Sequence, residues 1–303
     1  MPRVSITHTT EYSYRNPVGL TRHRMMIRPD DSHDLRLHRA EMTVDPPPAK
    51  ILWKHDVFSN SICFLEWPED VRTRHLRIVS TLELTHHPVG APAPACALEP
   101  WAELFPFSYE ADDLPELASL MARGSPDPDG LVDAWARRFV AGDGRTPTLK
   151  MLEAMTHAIK AEFRYGARRE EGTQTPVETL TLGSGTCRDF AALMMEALRS
   201  LGLAARFVTG YLYDDTAGTT QGGGSTHGWC GVYLPGAGWT EYDPTNGLVA
   251  GANLIRVGVT RTPAQALPIS GGYFGAANDF LGLEVCVAVG AGPIEERSPP
   301  VAG

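Results

Sequence analysis

Apolar residues recur at alternate positions from Val4 to about His87, beginning with Val4 and Ile6 and continuing through Tyr12 and Tyr14. Similar short runs follow at 25–27, 35–44, 51–53, 61–67 and 76–84, separated by turn formers such as Pro29-Asp30-Asp31, Pro46-Pro47-Pro48 and Ser59-Asn60. A period of two broken by frequent turns predicts an antiparallel β-sandwich over residues 1–90. Residues 91–106 carry Pro92, Pro94, Pro100 and Pro106 among alanines. Proline fixes φ and removes a ladder donor, so this stretch reads as a linker.

Beyond it the period becomes helical. Helices are expected near 112–123, 129–141 and 149–164, the last with Leu152, Met155, Ile159 and Phe163 on one stripe and Gly166 as a stop. From Arg206 the period returns to two, with strands at about 206–213, 227–234 and 239–243 and a further apolar run at 280–289. Helices followed by a sheet give an α+β second domain over 107–290, with 291–303 as a flexible tail. The Gly- and Thr-rich stretch Thr216–Ser225 reads as a mobile loop between strands.

Composition narrows the function classes. The chain has 303 residues, with 27 Lys+Arg against 36 Asp+Glu and a formal charge of −9. Net acidity argues against a nucleic-acid partner, whose phosphates require clustered cations. The basic run from Arg72 to Arg77 reads as the start of a strand. No 18 apolar residues run without interruption, so no membrane partner is expected, and the polar start Met1–His8 lacks the apolar run of an export signal. Cys63, Cys96, Cys187, Cys230 and Cys286 are odd in number, widely spaced and without C-x-x-C, which suits neither a disulfide scaffold nor a zinc ribbon. A reducing, cytoplasmic setting is the expectation.

The stretch Gly183-Ser184-Gly185-Thr186-Cys187-Arg188-Asp189-Phe190 carries the chemistry. Thr186 and Asp189 fit a capping box, and Phe190, Leu193, Met194, Ala197, Leu198 and Leu201 form a helical stripe ending at Gly202. Cys187 thus falls at the first helical position, where free N–H groups and the positive end of the helix dipole favour a thiolate. A small apolar residue at a helix start is the bland alternative. A nucleophile also needs a base and an orienting group.

The strand at His227 and the segment ending at Asp243 form a hairpin across Pro235-Gly236-Ala237-Gly238. Paired positions sum to a constant, and an even constant places His227 and Asp243 on one face. A sum of 470 pairs them directly across a three-residue loop, and 472 makes them diagonal neighbours around a five-residue loop. An imidazole so placed is held in one tautomer by the carboxylate and can act as base and then acid.

These residues resemble the transglutaminase-like superfamily of papain-related cysteine enzymes. The resemblance rests on Gly185-Thr186-Cys187-Arg188-Asp189-Phe190-Ala191, Ala205 through Tyr211, His227-Gly228-Trp229, and Gly238-Trp239 through Asp243-Pro244-Thr245-Asn246-Gly247, in the family's order. The β-rich start, with Thr9-Thr10-Glu11-Tyr12-Ser13-Tyr14, is similar to the amino-terminal domain of bacterial members. The resemblance implies a papain-like domain of helices on an antiparallel sheet, with a Cys187–His227–Asp243 triad. It also implies acyl transfer through a thioester without cofactor or metal, on a peptide or protein amide or isopeptide bond. Hydrolysis ranks first; amine transfer, a non-catalytic scaffold, and a metal site built from the same three residues are the alternatives. Gly228 stands where many members have Ala, a difference expected to be absorbed without touching the imidazole. Cys230 points away from His227 by alternation and reads as a buried small residue. Trp229 and Trp239 read as core aromatics, with the lining of an acceptor cleft as the other reading.

Overall fold

The opening alternation becomes one long strand, Arg3–Leu20, burying Val4, Ile6, His8 and Thr10 on one side. The computed structural model describes residues 3–87, 98–142, 145–166, 172–213, 224, 226–249 and 253–292. Arg3–Leu20 is the hub of a sheet. Thr73–His86 pairs antiparallel along one of its edges, followed by Leu35–Asp45, and Phe280–Ala291 pairs along the other. A second sheet runs in the order Ile269–Ser270, His23–Met25, Ser61–Glu66, Lys50–His55. Val18, Met25, Cys63, Leu65 and Leu76 fill a core that joins strands of both sheets.

The sandwich is therefore not completed within residues 1–90. Ile269–Ser270, Tyr273–Phe274 and Phe280–Ala291, expected in the second domain, return to it. The physical reason is edge satisfaction. Arg3–Leu20 would present a long row of unpaired N–H and C=O groups on one side, a template for aggregation, and the C-terminal strand closes it from Val4↔Ala291 to Tyr14↔Phe280. The linker expectation also needs correction. Residues 88–97 lie outside the described residues, but Leu98, Ala102 and Phe105 are buried among the helices. Thr148 Oγ1 donates to the carbonyl of Ala102 at 2.6 Å. Side chains of this size at core spacing are held by packing, whatever their proline content. The loop Thr216–Ser225, apart from Gly224, and the tail beyond Gly292 lie outside the described residues.

Helices Leu114–Met121, Leu131–Arg137 and Thr148–Glu162 form where the apolar stripes place them. A seven-residue helix, Pro176–Leu182, is additional. Cys187–Ser200 is the central helix, buried on almost every face. It packs on a third antiparallel sheet, ordered Leu248–Val249, Gly238–Asp243, His227–Leu234, Ala205–Leu212, Leu254–Thr260. One face of that sheet sends Phe207, Cys230, Val232 and Tyr242 into the helical core. Farther along the sheet Tyr211, Ile255 and Val257 pack against Val4, Ile6 and Leu82 of the sandwich. Tyr211 donates its hydroxyl to the carbonyl of Ile27 at 3.1 Å, sealing the contact. Among the described residues no helix is long and apolar enough to cross a membrane.

Candidate active site

Thr186 is extended, with φ −96° and ψ 176°, and Cys187 is the first residue of the helix it opens. Asp189 builds the turn. Its Oδ2 accepts from the N–H and the hydroxyl of Thr186 at 2.8 and 2.9 Å, and its Oδ1 from the N–H of Gln174 at 2.7 Å. The carboxylate expected to close a capping box with Thr186 thus also ties the segment before Pro176–Leu182 to the cysteine turn. Gly185 makes room for it, since a Cβ there would lie 2.8 Å from Cβ of Asp189. The first-turn N–H of Cys187 has no partner within its own helix.

The hairpin pairs Leu234 with Gly238 and Cys230 with Tyr242, a constant sum of 472. His227 and Asp243 are consequently diagonal neighbours on one face. The connection has three residues rather than the five expected for this register. Gly236 and Gly238 take φ of 87° and 70°, left-handed values that let the strands turn one step earlier. His227 Nε2 lies 2.9 Å from Asp243 Oδ2, with both side chains inaccessible. Asp243 also accepts from the N–H of Thr245 at 2.9 Å, the N–H of Asn246 at 3.3 Å and Nδ2 of Asn246 at 2.8 Å. The turn formers after Asp243 are the groups that hold its carboxylate.

With Nε2 engaged by Asp243, Nδ1 is the ring nitrogen left to face the thiol. It is buried without a conventional hydrogen-bond partner. Burial opposes a thiolate on Cys187, but attraction to His227, a hydrogen bond with that ring, the N–H of Gly228 and the charge of Arg188 outweigh it and hold the thiol below its usual range. Burial likewise opposes a charged His227, yet Asp243 and Cys187 push it up to about 10. Asp243 is held down by His227, Asn246 and Thr245 against its own burial. These shifts favour a thiolate–imidazolium pair, which titrates as a unit. Cys187 and Asp243 occupy different sides of one imidazole, and among the described residues no three ligating side chains converge on a metal position.

Two further residues, Trp229 and Tyr165, flank the site. Trp229 is fully buried, stacks on His227 at 6.0 Å and 28°, and donates its indole N–H to Glu241 at 2.8 Å. It is the core aromatic expected, and it braces the imidazole. Tyr165 is brought beside the cysteine turn because Arg164–Tyr165 pairs in parallel with Ser184–Gly185. Burial, with the negative charges of Cys187 and Asp243, raises its hydroxyl to about 12, so it stays a protonated donor. The available signal was the pair Arg164-Tyr165 just past a helix and before Gly166.

Cys230 is fully buried in the helical core, where burial pushes its thiol to about 12 and removes it as a nucleophile. Cys63 is raised by burial to about 11, and Cys286 is exposed. Cys96 lies outside the described residues. Gly228 is more constrained than expected. A Cβ there would meet Cζ of Phe207 at 2.7 Å, and that ring is fully buried beneath the Arg188 guanidinium, 5.0 Å from its centroid. Gly228→Ala is expected to lower stability by about 1–3 kcal/mol through overpacking. Urea denaturation checks this, and an unchanged midpoint would mean the Phe207 ring yields freely.

Comparison with known proteins gives the family and the fold. Residues 133–244 match the family model of the transglutaminase-like superfamily, and residues 4–85 that of the bacterial transglutaminase-like N-terminal region. An uncharacterised protein of Mycobacterium tuberculosis is 28% identical over 295 residues, covering 94% of this chain and 92% of that protein. A Mycobacterium leprae protein is 40% identical over 94 residues, covering 30% of this chain and 33% of that protein. The solved structure of a candidate cysteine protease from Cytophaga hutchinsonii superposes with a TM-score of 0.68 at 17% identity, covering 95% of this chain and 90% of that one. At that identity the likeness is one of fold.

Proposed function

The chain belongs to the transglutaminase-like superfamily, and from that premise we propose that it is a cysteine enzyme cleaving amide or isopeptide bonds of peptides or proteins. The observation that carries this reading is the buried imidazole of His227, with Asp243 on one nitrogen and the Cys187 thiol coupled to the ring. The Cys187 thiolate adds to the carbonyl carbon, and the oxyanion develops beside the unpaired N–H at the positive end of the helix. His227 gives its proton to the departing amine, the C–N bond breaks, and a thioester remains on Cys187. The imidazole, now neutral, takes a proton from water as the water oxygen attacks. The C–S bond then breaks and releases the acid and the thiolate. Asp243 holds the Nε2–H tautomer throughout.

Water and a primary amine attack the same thioester, so the acceptor defines the reaction. Peptides with glutamine side chains or isopeptide links, incubated with the protein and a labelled primary amine, are expected to yield free acid as read by mass spectrometry. Incorporation of the amine would make the protein a transferase. Absence of both products, with no acyl group trapped on Cys187, would leave a non-catalytic scaffold.

A further inference from the structure

Between the sandwich and the sheet that carries His227–Leu234 lies a cavity of about 580 Å³, within the size range of small-molecule sites. None of Cys187, His227 and Asp243 lines it. Its charged lining follows from strand register. Arg206, Gly231 and Glu241 are cross-strand partners in one row over three strands. Gly231 leaves the bed on which the arginine lies, because a Cβ there would sit 3.2 Å from Cγ and 3.3 Å from Nε of Arg206.

Residues in one row share a face, so Arg206 and Glu241 are set to pair across the glycine. They do not, because both oxygens of Glu241 are already engaged. Its Oε1 accepts from Arg256 at 2.7 Å and its Oε2 from Trp229 at 2.8 Å. Arg256 is bound in turn to Asp34 at 3.2 Å. Arg206 is left over. Among the described residues its guanidinium makes no hydrogen bond or ion pair, and its Nε is buried without a partner. Its cation stacks on the ring of Trp239 at 4.0 Å. Burial lowers the pKa of Arg206 to about 10 although the nearby charge of Glu241 opposes the shift, and a cation drawn from water without a direct partner is costly.

We propose that this cavity binds a small organic monocarboxylate, its carboxylate on the Arg206 guanidinium and its apolar body against Trp239, Leu254 and Val257. A planar carboxylate matches the guanidinium fork. The other charges select against more highly charged ligands. Asp30, Asp31 and Asp34 also line the cavity, and they repel a phosphate dianion more strongly than a singly charged acid. The site is separate from the thiol chemistry and stands whether or not Cys187 is a nucleophile.

The test is calorimetric titration with 3-phenylpropionate and its neutral counterpart 3-phenylpropionamide, using protein with Cys187 free and with Cys187 blocked by iodoacetamide. One-site binding of the acid, at least tenfold tighter than the amide and indifferent to the blocked thiol, is the expected result. Arg206→Met should abolish the preference. Ser32→Trp, at the exposed edge of the cavity, should obstruct both ligands while leaving Arg206 in place, so that the proposal remains open to refutation if Arg206→Met does not fold. Equal binding of acid and amide, a preference that survives Arg206→Met, or no saturable binding would overturn the proposal.

Discussion

His227→Ala is expected to reduce amide cleavage by on the order of 10³-fold or more, and to remove the selective reactivity of Cys187 toward iodoacetamide below pH 7. Removal of a general acid–base alone accounts for about 10²–10⁴-fold, and here the same residue also sustains the thiolate. An unperturbed thiol with a pKa of about 8.5 is roughly 0.3% ionised at pH 6. The lowered value of Cys187 leaves a larger thiolate fraction there, although a thiolate of lower pKa is intrinsically less nucleophilic, so the gain in rate is smaller than the gain in ionisation.

The signs fix the pH window. Cys187 is shifted down and His227 up to about 10, so the reactive pair forms as pH rises through the lowered cysteine value and is lost as pH rises through that of the imidazole. Without His227, burial dominates and Cys187 should label only in alkaline solution. The variant tests chemistry rather than folding, because Asp243 keeps the N–H groups of Thr245 and Asn246 and the amide of Asn246. Exposed Cys286 is the internal reference for labelling located by mass spectrometry. If Cys187 reacts no faster than Cys286 in the native protein, and His227→Ala changes nothing, the enzymatic reading fails.

The sequence reading succeeded where the determining signals are local. Thr186, Asp189 and the stripe from Phe190 to Leu201 place Cys187 at a helix start, whereas alternation made a shared face for His227 and Asp243 conditional on an even register, which the hairpin adopts. It failed where the partner lies far along the chain. Nothing within Phe280–Ala291 reveals that its hydrogen bonds go to Arg3–Leu20 some 270 residues earlier, so it was assigned to the nearer sheet. Proline content made Leu98–Phe105 look like a linker, because composition does not record that Leu98, Ala102 and Phe105 meet a core. The helix Pro176–Leu182 is a different failure, since its signals were local and complete. Thr175 caps it, Pro176 opens it, the Glu178 side chain closes the capping box, and Gly183 follows at φ 60°. Seven residues are too few for an apolar period to emerge. Leu254–Thr260 was missed because it packs on both sides, so alternation is blurred.

The same helix that presents Cys187 carries Glu196 and Arg199 off its apolar stripe. Both are buried, with the Arg199 Nη1 group 2.8 Å from Glu196 Oε1. Glu196 accepts from the N–H groups of Gly124 and Ser125 at 2.9 and 3.2 Å. Arg199 donates to the carbonyls of Leu120, Ala205 and Arg261 at 2.9, 2.8 and 2.8 Å. The pair therefore anchors the far end of the helix to three separate segments. Arg199→Met removes one charge and strands the other, together with the buried carbonyls of Leu120 and Ala205, and is expected to cost about 3–5 kcal/mol. That is a large share of a folding free energy of roughly 5–15 kcal/mol. Arg137→Ala, which breaks the exposed pair with Asp133, should cost no more than about 1 kcal/mol. Urea denaturation distinguishes the two, and an Arg199→Met cost as small as that of Arg137→Ala would show that the buried network is not an anchor. At 1.5 Å per residue, Arg199 lies about 18 Å along the helix from Cys187. If the folded fraction of Arg199→Met keeps the pH profile of Cys187 alkylation, the network supports the fold without tuning the thiol. An altered profile would mean that strain at Arg199 travels along the helix to its first turn.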